Sequence, residues 1–502
     1  MSKTFDFSEY SRQSLKGIVV MYGNLIIKIF KATWFVFLLL FTKLNLLSTS
    51  GKNYLILGLS VLFIFLLIRS YLLFRNFQFK IEGTYFILKR GIFSKKDTAI
   101  AFDRIQNINF SQNLIQQLIN VYEVRIETAG SDKTEISIKA LSLEAAEALR
   151  EIISVKKKPI TEEETEIIED KVPPLLKIDF KSLFKVSLSE NHIQSLGIFL
   201  ALLIGFYQQI QDVFKNFVGE DVLKGYMSKG KDLIFGSLML MVGLFIILLI
   251  IAIISSFIRV FLRHYDLIFT IKDNAFEIKQ GLINKKLIVL KREKVQSITI
   301  TTNPIKKKLG ISYVVFKQAV SGVINKKKDK LIKIVGCNAY QLSQIKHTLF
   351  TTEELETTEK ERPHVYYQQR IILRNLLFVL LLNLGVYFFS EMIHLVYINL
   401  LFIPLLTIIS YQKIKKKYFK FSENLLMVGG GIIETKATYI ALFKIQNIET
   451  VQTIFQRRRN IVNIVLQTAA GKIKIPSVPT NRAMEIYNHI LYKVETSNEK
   501  WM

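Results

Sequence analysis

Six long apolar runs alternate with polar stretches along this chain of 502 residues. A helix that crosses the hydrocarbon core of a bilayer needs about 20 mostly apolar residues, and the runs approach or exceed that length. Lys28 and Lys31 precede the first run and Lys43 lies near its end, where long basic side chains can extend to the membrane surface. The predicted spans are Ala32–Leu47, Tyr54–Phe74, Ile193–Ile210, Leu233–Ile258, Ile371–Ser390 and Met392–Tyr411.

The six spans fall into three pairs, and each pair is followed by a longer polar segment. A helical hairpin returns the chain to the side from which it entered, so all three polar segments are predicted on one side of the membrane. The sequence divides into a tail (1–24), hairpins (25–75, 191–262 and 371–411), polar domains (76–155, 263–351 and 412–495) and linkers (156–190 and 352–370).

Basic residues gather where the hairpins meet the polar domains. Arg69 and Arg75 lie near the end of the first hairpin, Arg259 and Arg263 near the end of the second, and Lys413–Lys417 near the end of the third. Cytoplasmic flanks of membrane helices are enriched in Lys and Arg. We therefore predict a multi-pass protein of the cytoplasmic membrane, with both termini and all three polar domains in the cytoplasm. Residues 1–17 are polar, so no cleavable signal peptide is predicted.

The three polar domains repeat one pattern of residues. In each, a Gly is followed fifteen residues later by a Gln, and fourteen residues after that by Gly or Asn. Gly permits a turn with positive φ, and both Gly and Asn tolerate the left-handed conformation that ends a helix. The repeated positions, which we interpret as structural, are Gly91, Gln106, Asn120, Gly281, Gln296, Gly310, Gly431, Gln446 and Asn460.

The pattern between these positions predicts a small β-rich domain. Residues 77–81 alternate apolar and polar side chains, as a half-buried strand does. About seven short strands, a short inner helix before the Gly or Asn, and a closing amphipathic helix are predicted in each copy. The closing helices are Leu143–Ile153, Tyr340–Phe350 and Arg482–Val494, with Ser142, Asn338 and Thr480 as expected N-caps.

This order of a membrane hairpin, strands, Arg/Lys-Ile/Val-Gln-Asn/Ser, a short helix and further strands resembles the bacterial pleckstrin-homology-like (PH-like) domain, also called the membrane-flanked domain. Three copies with six spans resemble the YdbT-like membrane proteins. The resemblance implies an α+β membrane protein with six transmembrane helices in three hairpins and three PH-like split β-barrels, each closed by a C-terminal helix. It implies no catalytic activity and an association with envelope stress or antimicrobial-peptide resistance. It also raises another membrane-flanked PH-like protein, or a second copy of the chain, as a partner.

Positive charge is concentrated in the second and third copies. The chain has a formal net charge of +27; residues 263–350 hold 18 basic against 5 acidic side chains and residues 411–494 hold 14 against 4, whereas residues 71–153 are nearly balanced. Basic clusters beside a membrane attract anionic lipids, although the charge also serves to orient the chain. The candidate lipid- or partner-binding residues are Lys306, Lys307, Lys308, Lys326, Lys327, Lys328, Lys415, Lys416, Lys417, Arg457, Arg458 and Arg459.

The sequence offers little catalytic chemistry. The six histidines are scattered without metal-ligand spacing, and Cys337 is expected to be a buried apolar residue. No metal, cofactor or nucleic-acid partner is expected. The repeated glutamines are expected to satisfy backbone groups rather than to contact a ligand. The favoured interpretation is a non-enzymatic membrane scaffold that binds partner proteins or anionic lipid; a transporter or channel component and an enzyme with an unrecognised site are the alternatives.

Overall fold

The computed structural model is a mixed α+β molecule in which three similar β-rich domains each follow long helices. Within the described residues, three helices are long and apolar enough to cross a membrane, namely Gly17–Trp34, Thr49–Arg75 and Tyr366–Phe388. The structure describes residues 5–43, 48–128, 136–155, 173–190, 197, 234–272, 274–318, 332–350, 353–389, 397, 399–497 and 499.

The long helices overlap the predicted hairpins, although the first helix begins at Gly17, within the predicted tail. The first pair is Gly17–Lys43 and Thr49–Arg75, and the third pair is Tyr366–Phe389 and Asn399–Lys415. Ile234–His264 covers the fourth predicted span. The predicted span at 193–210 lies outside the described residues except for position 197. Apolar side chains such as Ile64 and Leu376 are exposed on these helices, as lipid-facing positions are.

In its described residues, each domain has six strands, a short inner helix and a closing helix, in the same order. The inner helices are Leu114–Leu118, Pro304–Lys308 and Ile454–Arg457, and the closing helices are Leu143–Val155, Ala339–Leu349 and Thr480–Thr496. Two more helices, Phe180–Leu188 and Glu353–Thr357, precede the second and third helix pairs. The strands are β1 (Ser11–Arg12), β2 (Gln78–Glu82), β3 (Tyr85–Arg90), β4 (Lys96–Ala101), β5 (Ile105–Gln112), β6 (Tyr122–Thr128), β7 (Ile136–Leu141), β8 (Leu176–Lys177), β9 (Ile268–Lys272), β10 (Ala275–Gln280), β11 (Lys285–Lys291), β12 (Val295–Thr302), β13 (Ser312–Gln318), β14 (Ile332–Cys337), β15 (Tyr418–Phe421), β16 (Leu425–Gly431), β17 (Thr435–Ala441), β18 (Ile445–Val451), β19 (Ile461–Thr468) and β20 (Gly471–Pro479).

Neighbouring domains share antiparallel sheets. The described strands form four sheets, in the orders β1-β2-β3-β4, β7-β6-β5-β11-β10-β9-β8, β14-β13-β12-β17-β16-β15 and β18-β19-β20. The last three strands of one domain therefore continue into the first three strands of the next, through the pairs β5–β11 and β12–β17. Each domain therefore divides its described strands between two sheets, and hydrogen bonds join the three domains into a row.

The repeated Gly and Asn positions have the conformation that the sequence predicted. A Cβ atom at Gly91 would lie 1.9 Å from the carbonyl oxygen of Ser94, so no other residue fits the turn after β3. The inner helices end on Gly or Asn in the left-handed region. The φ angles are 126°, 106° and 130° at Gly91, Gly281 and Gly431, and 53°, 67° and 51° at Asn120, Gly310 and Asn460.

The repeated glutamines occupy equivalent β-bulges. In each domain the register shifts by one residue at this position, so that Gln106, Gln296 and Gln446 are the extra residues of β5, β12 and β18. A bulge bends its strand and increases the local twist. Each of these bulges directly follows a short 3₁₀ helix, at the start of the second half of the domain, so it changes the direction of the chain there.

The segments before the helix pairs are folded, which the sequence did not predict. Strand β1, in the expected tail, pairs with β2, and β8, in the expected linker at 156–190, pairs with β9. In the expected linker at 352–370, Glu361 bridges Phe419 at the start of the third domain. The boundaries of the tail and linkers stay predictions, and their described parts contain these backbone pairings. The described segments that precede the helices thus lie beside the sheets that follow.

Three apolar clusters form the cores of the domains. Phe79 and Phe86 stack in the first domain, and Phe276 packs against Phe316 in the second. The closing helices cover these cores; Ile486 and Ile490 contribute from the third. Ser142 and Asn338 cap their helices as predicted. Thr480 does not, because that helix begins at Thr480 itself, after Pro479.

Candidate functional site

A basic cavity lies where the second domain, the third domain and the third helix pair meet. Its volume is about 1050 Å³. Its basic lining residues are Lys307, Lys360, Arg362, Lys415, Lys416 and Lys436. Among the described lining residues there is no Asp or Glu. Six cations around one cavity repel each other, and a bound anion relieves that repulsion through charge-assisted hydrogen bonds.

Different elements bring these cations together. Lys307 lies on the inner helix of the second domain, and Lys436 lies on β17 of the third. These two elements become neighbours because β12 pairs with β17, with Thr302 opposite Thr435. Asn303 fixes the start of the inner helix, since its Oδ1 accepts from the N–H of Lys306 at 2.7 Å.

The remaining cations come from the ends of the third helix pair. Arg362 directly follows the Glu361–Phe419 bridge and precedes the helix that begins at Tyr366, and Lys415 ends the returning helix. Lys416 donates to the carbonyl oxygen of Ile432 in the β16–β17 turn. The site therefore lies at the level where the helices emerge from their apolar segments.

Tyr418 forms part of the cavity wall. The ring of Tyr418 lies against β16, and a Cβ atom at Gly429 would approach that ring to 2.3 Å. Gly429 is therefore required by close packing, rather than by a flexible turn. The amine of Lys360 lies 5.4 Å from the centre of the same ring, a cation–π distance that holds Lys360 at the cavity.

An apolar groove of about 590 Å³ adjoins the cationic cavity. It lies between the two helices of the third pair and is lined by side chains such as Leu376 and Ile403, while Arg362 and Lys415 line both spaces. Asn375 donates to Ser410 across the groove at 2.6 Å. An amphipathic ligand with an anionic head and an apolar tail would match the two spaces together.

Lys306 is not exposed, in contrast to what its place in a basic cluster suggested. Its side chain is 1% exposed, and its Nζ contacts Glu434 of the third domain at 3.0 Å and the ring of Tyr313 at 3.8 Å. Burial lowers the pKa of Lys306, and the carboxylate of Glu434 opposes that effect. Lys306 thus joins two domains, and an anionic ligand cannot contact it without breaking this pair.

The other predicted basic residues are distributed over several places. Lys307, Lys415 and Lys416 line the cavity, whereas Lys308 and Lys417 are not among its lining residues. Arg457, Arg458 and Arg459 are exposed at the inner helix of the third domain, where Arg459 lies 4.9 Å from the ring of Tyr366. Lys326, Lys327 and Lys328 lie outside the described residues.

Sequence reasoning missed Lys360, Arg362 and Lys436. None belongs to a run of basic residues, so no basic cluster of the sequence contains them. Arg362 carried a usable signal, because it precedes an apolar span by a few residues, as Lys and Arg do at cytoplasmic ends. Lys436 carried another, since it occupies the position of Lys286 in the repeat.

A second cavity, of about 1010 Å³, lies between the first helix pair and the first two domains. It contains an acid, Glu123, which is 7% exposed and contacts Arg125, Ser137 and Lys139. Burial alone would raise the pKa of Glu123, but Lys139 together with the hydrogen bonds from Arg125 and Ser137 lowers it to about 2. This acid lies in the lining and neutralises part of its charge. At the cavity between the second and third domains, the acid Glu434 lies outside the lining and contacts Lys436 at 3.9 Å, so we take this cavity as the candidate anion site.

The described residues offer no metal centre, since no three His, Cys, Asp or Glu side chains among them converge. Cys337 is 1% exposed, as predicted for a structural cysteine, and burial raises the pKa of its thiol to about 12. Of the repeated glutamines, Gln296 is buried and Gln446 is exposed, so these two side chains have different environments.

Comparison with known proteins agrees with this architecture. The model of the family described as the bacterial PH domain matches residues 30–157, 231–351 and 376–494, one segment for each domain with part of its helix pair. The UPF0699 transmembrane protein YdbT of Bacillus subtilis (strain 168) is 24% identical over 419 residues, which are 81% of this chain and 82% of the relative. No solved structure matches the chain.

Proposed function

Because this chain belongs to the bacterial PH domain family, we propose that it is a non-enzymatic scaffold of the bacterial cytoplasmic membrane whose PH-like domains bind anionic lipid headgroups. The observation that carries this proposal is the cavity lined by six cations at the end of a membrane helix pair. A basic residue near an anionic leaflet contributes about 1 kcal/mol of attraction. Six that converge in one cavity select for a phosphate-bearing headgroup more strongly than six dispersed over a surface.

The adjoining groove supports a lipid rather than a soluble anion. Arg362 and Lys415 line both the cationic cavity and the apolar groove between the two helices. A phospholipid would place its phosphate near these two side chains and one acyl chain along Leu376. A soluble phosphate compound would leave the groove without an apolar occupant.

The same proposal includes six spans in three hairpins with all three domains in the cytoplasm. Support comes from the segments β1 and β8 and from the bridge at Glu361, each of which pairs with the sheet after its helices. A hairpin whose entry and exit contact one sheet keeps both on the same face of the membrane. The basic residues at these exits favour the cytoplasmic face.

A transporter or channel component is the alternative function. Such proteins place polar groups along a water-accessible path near the middle of the bilayer. Asn383, the mid-span polar residue of the third pair, accepts from Asn399 at 2.6 Å and donates to the carbonyl of Val379. These bonds favour a role in holding the two helices together, and so favour the scaffold.

The lipid proposal is tested with the full-length protein in mild detergent. Short-chain phosphatidylglycerol and phosphatidylcholine are titrated by calorimetry against the natural chain and against a variant carrying Lys307→Gln, Arg362→Gln and Lys436→Gln. We expect the natural chain to prefer phosphatidylglycerol and the variant to bind it about 100-fold more weakly, since three cations contribute about 3 kcal/mol.

The matched control removes the same charge elsewhere. Lys279, Lys472 and Lys474 are exposed and do not line the cavity, and their replacement by Gln should leave the affinity unchanged. Equal affinity for the two lipids, or an equal loss in the control, would exclude the cavity as the headgroup site. Tight binding of glycerol phosphate alone would show that a soluble anion is the ligand.

We place the scaffold in the response to envelope stress or to antimicrobial peptides, on the strength of the family resemblance. Cells that lack the chain should grow normally without stress and lose viability when a membrane-active peptide is added. The variant of the cationic cavity should share this sensitivity if lipid binding underlies the role.

A further inference from the structure

The two junctions between the domains of this chain are built in the same way. At the first, Lys285, Lys286 and Leu287 of β11 pair with Gln112, Ser111 and Phe110 of β5. At the second, Thr435, Lys436 and Ala437 of β17 pair with Thr302, Thr301 and Ile300 of β12. These are equivalent positions of the repeat, so both junctions have the same strands, the same direction and the same register.

Each end of the row presents one half of such a junction. In the first domain β4 holds the position of β11 and β17, and in the third domain β18 holds the position of β5 and β12. Within the described part of the chain, neither strand has a neighbour on its outer edge. An unpaired strand edge offers a row of backbone donors and acceptors to another chain.

We propose that two copies of this chain associate head to tail, with the β18 edge of one copy paired antiparallel to the β4 edge of the next. The register of the internal junctions places Ile448 opposite Ala99, Glu449 opposite Thr98 and Thr450 opposite Asp97. The occupant is a second copy because the chain itself carries both complementary edges. Such an interface is heterologous and leads to a ring or an open row.

Side chains along the two free edges complement each other. At the second junction, the hydroxyls of Thr299 and Thr438 lie 3.0 Å apart, and their equivalents across the proposed interface are Glu449 and Thr98. The hydroxyl of Thr98 is buried without a described hydrogen-bond partner, whereas Glu449 is exposed. One carboxylate oxygen of Glu449 accepts from Asn447 at 3.0 Å. The other would accept from Thr98, and the carboxylate would lie diagonally across from Lys96, an attractive cross-strand arrangement.

The turn beside β4 supports the same contact. At the first junction, Gln117 donates to the carbonyl oxygens of Leu282 and Ile283 at 3.0 and 2.8 Å. The equivalent donor in the third domain is the exposed Arg457, and the equivalent acceptors lie at Ile92 and Phe93. The side chain of Phe93 is fully exposed. Arg457 of one copy would donate to these carbonyls and place its guanidinium near the ring of Phe93.

The interface is tested by cross-linking between two tagged forms of the full-length protein. One form carries Thr98→Cys and the other Glu449→Cys; the natural Cys337 is buried and does not interfere. Mixed in one membrane and oxidised mildly, the two forms should give a disulfide-linked pair that contains both tags, since opposite cross-strand residues approach closely. Each form alone, and Thr98→Cys mixed with Lys474→Cys, should give none.

A charge swap tests the register. Glu449→Lys would face Lys96 and should lower the dimer fraction several-fold, measured by light scattering in mild detergent. Adding Lys96→Glu to the same chain should restore it. Monomers at every concentration, without a cross-link between positions 98 and 449, would overturn the proposal. A cross-link from these positions to a different PH-like protein alone would also overturn it, in favour of a heteromeric partner.

Discussion

At the scale of single residues, Glu123 is the clearest case of an ionisable group that stabilises its domain. Its carboxylate accepts from Arg125, Ser137 and Lys139, and its pKa falls from 4.5 to about 2 in the folded chain. A lowered pKa stabilises the fold above the unfolded pKa, and this contribution is lost as the pH falls through the folded pKa. The relevant window therefore lies between about pH 4.5 and pH 2.

We predict that Glu123→Gln lowers the free energy of unfolding at pH 7 by up to about 3 kcal/mol, the value that corresponds to the pKa difference. The difference from the natural chain should shrink between pH 4.5 and pH 2, because both chains then carry a neutral group there. Thermal unfolding of both chains in detergent across this pH range measures the difference in their stability. Glu147→Gln, at an exposed position of the closing helix, should leave the free energy of unfolding at pH 7 nearly unchanged.

Residues whose role is local were predicted from the sequence, and residues whose role depends on a distant partner were not. The left-handed conformations of Asn120 and Gly310 follow from the helix that each one ends. Lys306 shared its sequence context with Lys307 and Lys308, yet it is buried because Glu434 lies beside it. The two partners are 128 residues apart in the sequence, so no local sequence pattern predicts their contact.

At the scale of elements, the repeat predicted the inner helices, the closing helices and most strands to within a few residues. It could not predict β1 and β8, because a strand of two residues has no periodicity to detect. It also could not predict that β5 would pair with β11 rather than with β4. Sequence alternation marks which face of a strand is buried, but it does not identify the neighbour.

The folded segment before the second helix pair gives a prediction at this scale. Ile178, which follows β8, is 6% exposed, and its N–H donates to the carbonyl of Leu267 at 2.9 Å. Ile178→Ala removes buried apolar volume and should destabilise the second domain by about 2–4 kcal/mol. Thermal unfolding of the full chain and the rate of cleavage by trypsin after Lys177 both measure this.

Lys177→Ala is the matched control for stability, since that side chain is exposed beside Ile178. Its thermal unfolding should match that of the natural chain. If Ile178→Ala were equally neutral, residues 173–190 would act as a linker after all, and their packing on the second domain would contribute nothing to stability.

At the scale of the whole molecule, the candidate site combines basic residues from two domains and a helix pair. Three of its six cations, Lys307, Lys415 and Lys416, belong to clusters that the sequence displayed, and the structure brings them into one cavity. Arg362 and Lys436 line the same cavity because the junction between the second and third domains lies at the end of the third helix pair. The site is a product of assembly between domains, and the sequence of a single copy does not contain it.

The placement of all three domains on one side of the membrane is the prediction that tests the molecule as a whole. Single cysteines replace Asn53, near the turn of the first helix pair, and Lys95, Lys279 and Lys474, one exposed residue in each domain. In intact spheroplasts a membrane-impermeant maleimide should label position 53 alone. After permeabilisation it should label all four, while the buried Cys337 stays unreactive. Strand β8, which precedes the second pair of predicted spans, pairs with β9, which follows it. Labelling of position 279 in intact spheroplasts would mean that β8 and β9 lie on opposite sides of the membrane and do not pair. The continuous row of three domains would then be wrong as well.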